Sequence, residues 1–267
     1  MRKDQKINVN GISVNYEDSG KGDTCMIFIH GFPLDKSMWE HQFDFFKKKN
    51  RIITYDIRGF GKSTTNGLKA SINLYAEDLI KLMDELKIEK AVVCGLSMGG
   101  YILLSAVERY PQKFKAIILS ATQCVADSTE IKEKRFDTIK EIKSNGLEGF
   151  SEKLIQTIFS KGTLKKKKEL VKQIKKVIVS TNPQTIMSTL EALANREEKC
   201  RTLSKITVPA LILCGEEDAL IPPHQSKLLT DNITQSYVET IENAGHLINL
   251  EQSEIFNEHI YAFIENI

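Results

Sequence analysis

The chain has 267 residues, of which 41% are hydrophobic and 27% charged, a composition typical of an ordinary globular protein. Its 37 basic and 35 acidic side chains leave a net charge of only +2, which excludes a global field that would attract nucleic acid. The length allows one sizeable core with an insertion, or two small domains, and excludes a mini-protein held by disulfides.

The N-terminal segment predicts a β-hairpin, because residues 7–17 alternate around Asn10-Gly11, a dipeptide suited to a tight turn with positive backbone angles. Short apolar runs follow, separated by helical patterns. Runs that do not alternate are typical of strands buried on both faces of a parallel sheet. Strands are predicted at Cys25–His30, Arg51–Asp56, Ala91–Cys94, Ala116–Leu119, Ala210–Cys214 and Ser236–Ile241.

Apolar residues at helical spacing predict helices between these strands and at the end of the chain. This alternation of strand and helix is typical of a layered α/β sheet. It fails between about 122 and 204, where only helical patterns occur. We therefore predict a core domain from residues 1–121 and 205–267, and a helical cap from residues 122–204 inserted after the sixth strand.

Five cysteines, an odd number without a Cys-x-x-Cys spacing, favour a reducing compartment. Cys25, Cys94 and Cys214 lie in or at the end of apolar strand-like runs, where a thiol behaves as a small hydrophobic group. The segment from Met1 to Asn10 has no apolar stretch of the kind found in signal peptides, and no run of about 18 uncharged apolar residues occurs. A cytoplasmic protein without a membrane span is expected.

The segment Gly95–Gly100, with Ser97 at its centre, has the pattern of a nucleophile elbow. It follows a predicted strand and opens the helix Met98–Arg109, and its glycines would let helix and strand approach each other closely. Ser97 is therefore the candidate nucleophile. The alternative interpretation, that Ser97 is a helix N-cap, is compatible with that position.

A serine hydroxyl needs a base to take its proton and a group to hold that base. Among the five histidines, His246 lies in the loop after the last strand, where it can lean over the carboxyl edge of the sheet. His30 is interpreted as structural, and the remaining three are interpreted as solvated. Asp218 follows the strand Ala210–Cys214 at the same edge and is the candidate acid, with Glu216 and Glu217 as close rivals.

Acyl transfer also requires donors that stabilise the oxyanion. Met98, the residue after Ser97, would supply one backbone N–H group. The second would come from Phe32, in the loop His30–Pro33, because Pro33 has no amide hydrogen.

These segments together resemble the α/β-hydrolase superfamily: His30–Pro33, Asp56–Ser63, Gly95–Gly100, Gly215–Asp218 and Asn243–His246, with the triad in the order Ser97, Asp218, His246. The resemblance implies a mostly parallel central sheet with an N-terminal hairpin and a helical cap. Within the superfamily, the chain is similar to a group of small esterases that includes 3-oxoadipate enol-lactonases and cofactor-free haloperoxidases.

The resemblance further implies hydrolysis of a small carboxylic ester or lactone through an acyl-enzyme, with neither a metal nor an organic cofactor. Two alternatives use the same triad: a carbon–carbon bond hydrolase and a perhydrolase. A third, from another class, is a ligand-sensing receptor built on the hydrolase fold. No nucleic-acid or membrane partner is expected.

The predicted cap is basic: 17 Lys and Arg against 11 Asp and Glu between Thr122 and Ser204 leave a charge of +6. One hypothesis is that this charge raises the local concentration of anionic substrates. The other is that the lysines keep the cap soluble. The run Lys165–Lys168 is interpreted as a solvated surface, since Glu169 follows it and no aromatic residues are interleaved.

Overall fold

Eight strands form one sheet in a computed structural model that describes residues 3–267. They are β1 (Gln5–Val9), β2 (Ile12–Asp18), β3 (Cys25–Ile29), β4 (Arg51–Tyr55), β5 (Ala91–Leu96), β6 (Phe114–Ser120), β7 (Ala210–Gly215) and β8 (Ser236–Ile241). Their order is β1-β2-β4-β3-β5-β6-β7-β8. β1 and β2 form the predicted hairpin, β2 also runs antiparallel to β4, and all other neighbours are parallel. The predicted fold class is confirmed.

Eleven α-helices occur in the described residues: α1 (Glu40–Phe46), α2 (Ile72–Glu85), α3 (Met98–Arg109), α4 (Thr129–Asn145), α5 (Glu148–Ile158), α6 (Lys161–Lys166), α7 (Lys168–Ser180), α8 (Pro183–Ala194), α9 (Pro223–Asn232), α10 (Ile248–Glu251) and α11 (Ser253–Glu265). The Ser71 hydroxyl caps α2 by accepting from the Leu74 amide. Asn182 caps α8 ahead of Pro183. None of the helices within residues 3–267 combines the length and the apolar character that a membrane span requires.

Side chains of β3 show why the central strands lack an alternating pattern. Ile27 and Ile29 are buried in the cluster that contains residues of α2 and α3. Met26 and Phe28 are buried in the cluster on the other face, where the Phe28 ring lies 5.0 Å from that of Trp39. Both faces of the sheet are thus covered. Because successive side chains of a strand point to opposite faces, all of them are apolar and no alternation appears.

Helices α4 to α8, which we call the cap, all lie between β6 and β7, as predicted. α4 is capped at its C-terminus by Gly146, whose positive φ of 73° suits a residue without a Cβ. The division into a core of 1–121 and 205–267 and a cap domain of 122–204 stays a prediction. Met1 and Arg2 are the first residues of the predicted core domain and of the segment Met1–Asn10. They lie outside the described residues.

A disulfide joins Cys124 to Cys200, whose Cα atoms are 4.9 Å apart although 76 positions separate them in the chain. Cys25, Cys94 and Cys214 are free. This disulfide runs against the expectation of a reducing compartment, because stable disulfides are typical of oxidising environments. A cytoplasmic location stays a prediction.

Candidate active site

Ser97 lies in the turn between β5 and α3 with φ 55° and ψ −113°, a region that residues with a side chain rarely adopt. The turn is tight, and glycines lie two positions before and two positions after Ser97. A Cβ on Gly95 would lie 2.3 Å from the Gly99 carbonyl oxygen, and one on Gly99 would lie 2.3 Å from the Ile29 carbonyl oxygen. Within the described chain, the Ser97 hydroxyl makes no capping hydrogen bond to α3.

His246 and Asp218 are in direct contact, at 2.8 Å between Nδ1 and Oδ2. Both residues are buried, at 3% and 5% exposure. The other oxygen of Asp218, Oδ1, accepts hydrogen bonds from the amides of Leu220 and Ile221 at 2.8 and 3.0 Å. These bonds fix the carboxylate. With Nδ1–H donating to it, Nε2 of the imidazole is free to accept a proton.

The two rival acids point elsewhere. Both Glu216 and Glu217 are exposed. Glu216 accepts from the Asn243 amide and Glu217 from the Lys161 amide, each at 3.3 Å. Of the three successive carboxylates, the structure brings Asp218 to His246.

His30 is fully buried at the end of β3 and makes structural hydrogen bonds. Its Nε2 accepts from the Ile57 amide at 2.9 Å, and its Nδ1 lies 3.0 Å from the Gly31 carbonyl oxygen. Burial lowers the pKa of His30, so the ring stays neutral and suited to this bonding. His41 and His224 are exposed and His259 is half-buried.

The loop that carries Phe32 lies against the turn at Ser97. A Cβ on Gly31 would lie 3.3 Å from the Leu96 carbonyl oxygen. The Phe32–Pro33 peptide bond is cis. Phe32 and Met98 line the same cavity as Ser97 and His246, so all the sequence-predicted residues except the buried Asp218 lie at this cavity.

This cavity has a volume of about 490 Å³ and lies between the sheet and the cap. Its apolar lining residues from the cap include Phe150, Leu154, Leu190 and Leu193. The sequence predicts helices in this segment but does not identify these residues as lining residues. Within residues 3–267, no group of three or more His, Cys, Asp or Glu side chains is arranged to hold a metal ion.

A charged cluster forms one side of the cavity. Asp127 binds Arg135 and also Arg196, the latter at 2.6 Å, so one carboxylate faces two guanidinium groups. Burial alone would raise the pKa of Asp127, but the two arginines outweigh it and hold the pKa below its usual value. Lys134 and Arg135 line the cavity, whereas the run Lys165–Lys168 is exposed and is not among its lining residues.

Comparison with known proteins gives a consistent match. The family model described as the alpha/beta hydrolase fold matches residues 24–253. A 3-oxoadipate enol-lactonase of Acinetobacter baylyi is 28% identical over 255 residues, which cover 95% of this chain and 94% of that protein. A thermophilic esterase from Thermogutta terrifontis superposes with a TM-score of 0.94 at 30% identity, covering 99% and 98% of the two chains. The enol-lactonase from Burkholderia xenovorans gives a TM-score of 0.91 at 25% identity, covering 98% and 100%.

Proposed function

Because the chain belongs to the α/β-hydrolase family, we propose that it is a serine hydrolase that cleaves small carboxylic esters or lactones through an acyl-enzyme. One observation carries this proposal. Ser97, at the positive-φ turn, and His246, whose Nδ1 contacts the buried Asp218, line a single cavity of about 490 Å³. A cavity of that size suits a small substrate.

In the proposed mechanism, His246 takes the Ser97 proton as the hydroxyl attacks the substrate carbonyl. Asp218 holds the imidazole in the required tautomer and stabilises its positive charge. The backbone N–H groups of Phe32 and Met98 stabilise the oxyanion. The alcohol then leaves with a proton from His246, and water repeats the sequence on the acyl-enzyme.

The relatives support the choice of bond. They include enol-lactonases and an esterase, and their likeness extends over nearly the whole of this chain, cap included. The apolar lining residues would accommodate an acyl chain, while the polar lining residues, Asp127 among them, would contact a more polar part of the substrate.

A turnover screen tests the proposal. We expect repeated turnover of p-nitrophenyl esters of increasing chain length and of small lactones, with the rate falling once the acyl chain exceeds the cavity. A receptor would instead give slow or single turnover, and a carbon–carbon bond hydrolase would prefer a vinylogous diketone. Either of those results would overturn the proposal.

The charge of the cap gives a prediction about substrate preference. We expect an ester that carries a terminal carboxylate to have a higher kcat/KM than its neutral isostere at low salt, because Arg135 and Lys134 line the cavity. Arg135→Gln should lower kcat/KM for the charged ester by about tenfold, the effect of one charged hydrogen bond, and leave the neutral ester unchanged.

The matched control is Lys165→Gln, since Lys165 is exposed and is not among the lining residues of the cavity. Added salt should reduce the advantage of the charged ester, because salt screens the interaction. Equal rates for the two esters at low ionic strength would leave the basic residues with a role in solubility.

A further inference from the structure

Glu251, the last residue of α10, is a fully buried carboxylate between the loop of His246 and the cap. Its Oε1 accepts a hydrogen bond from the Gly245 amide at 2.9 Å. Its Oε2 accepts one from the Ser160 amide, also at 2.9 Å. Gly245 directly precedes His246, and Ser160 is the N-cap of the cap helix α6. One side chain therefore connects the loop of the candidate base with the cap.

The backbones that Glu251 connects are already in close contact. The amides of His246 and Leu247 both donate to the Ile158 carbonyl oxygen, at 3.0 and 3.3 Å. A Cβ on Gly245 would lie 2.6 Å from the Ser160 nitrogen, so only glycine fits there. The backbone from Gly245 to Leu247 is therefore in contact with the chain where α5 ends and α6 begins.

A carboxylate suits this place better than any other side chain of its size. Two amide donors point at it from opposite segments, and a carboxylate offers an acceptor oxygen to each, whereas a glutamine offers one oxygen and one NH₂ group. Burial of a charge is costly unless it is hydrogen-bonded. The backbone oxygen of Glu251 adds a further link, since it accepts from Lys167 Nζ at 2.5 Å.

We propose that Glu251 is a positioning residue for His246: it holds the peptide that precedes the base against the cap, so that the imidazole takes its catalytic place only while this part of the cap is docked. This inference rests on the proposed function, in which His246 is the general base. Glu251 is not among the residues that line the cavity, so it acts through His246 and not on the substrate.

The test is Glu251→Gln, which keeps the shape of the side chain but removes one acceptor. One of the two amides is then left unpaired in a dry interior, and the two segments move apart. We expect kcat, and the rate of fluorophosphonate labelling of Ser97, to fall by about 10- to 100-fold, the effect of a small misplacement of a catalytic group. KM should change by less than about twofold. We expect the wild type to show a deshielded resonance for His246 Nδ1–H, which donates to Asp218 at 2.8 Å. In Glu251→Gln this resonance should broaden or disappear.

Glu216→Gln is the matched control, because Glu216 also accepts an amide of the same loop, that of Asn243, but is exposed. Its kinetics and its proton spectrum should match those of the wild type. A Glu251→Gln protein with wild-type labelling rate and an unchanged Nδ1–H resonance would overturn the inference.

If Glu251→Gln does not fold, the inference is tested on the wild-type protein by measuring the hydrogen-exchange rates of the two amides that Glu251 binds. The Gly245 and Ser160 amides should be protected as strongly as those of β5 and β7, and exchange as fast as in an exposed loop would overturn the inference. Failure of the proposed function looks different, since Ser97 of the wild type would then not be labelled at all. The proton spectrum and the exchange experiment need no turnover.

Discussion

Replacing Ser97 by alanine is expected to lower kcat by about six orders of magnitude, since loss of one member of a triad can remove that much of the rate. The reason is that the alanine side chain has no oxygen to attack the carbonyl. The backbone strain is similar for both residues, because each carries a Cβ at φ 55°. The measurement is turnover of a p-nitrophenyl ester, together with stoichiometric labelling by a fluorophosphonate probe and identification of the labelled peptide.

Ser105→Ala is the control for this experiment. Ser105 lies on the same helix but is fully buried, and its hydroxyl donates to Asn73 at 2.7 Å. The Ser105→Ala protein should be labelled at Ser97, like the wild type. Activity that survives in Ser97→Ala, with label found on a different serine, would show that the nucleophile lies elsewhere.

Asp218→Asn is expected to reduce turnover by about four orders of magnitude while the fold persists, because an amide in this position holds the wrong imidazole tautomer. The Leu220 and Ile221 amides, which bind Oδ1 in the wild type, can still be satisfied by the remaining oxygen. With the oxygen bound to these two amides, the NH₂ group takes the place of Oδ2 and faces the imidazole of His246. The measurement is kcat for the same ester.

Glu217→Gln provides the comparison, since Glu217 is exposed and contacts the Lys161 amide. It should change kcat by less than about twofold. The reverse order of effects would mean that the acid is Glu217 and that the loop after β7 adopts a different turn in solution.

The central strands and the turn at Ser97 are predictable because their signals are local. An apolar run such as 91–94 is long enough for a strand. A serine between strand and helix, with a glycine two positions before it and another two positions after it, has few other uses. The acid is harder to choose, because Glu216, Glu217 and Asp218 are three carboxylates in a row. Only the turn in which the Asp218 amide binds the Gly215 carbonyl determines which of them faces His246.

Contacts between distant segments escape sequence reasoning. Glu251 reads as part of a short polar stretch before the last helix, yet its partner Ser160 lies 91 positions earlier in the chain. The pairing of Cys124 with Cys200 is similarly hidden, since neither residue lies in a recognisable spacing pattern. Nothing in the local sequence specifies which apolar faces of the cap helices meet, so the lining of the cavity becomes visible only in three dimensions.

The disulfide also determines what happens when the polypeptide is cut within the cap. All five cap helices lie between Cys124 and Cys200, so the cap is part of a covalent ring closed at its base. We expect trypsin to cut at Lys165 or Lys166, which are exposed at the end of α6. A cut there yields two fragments that remain joined through Cys124 and Cys200, and they separate on a denaturing gel only after reduction. The oxidised protein can therefore be nicked in its cap without losing either piece.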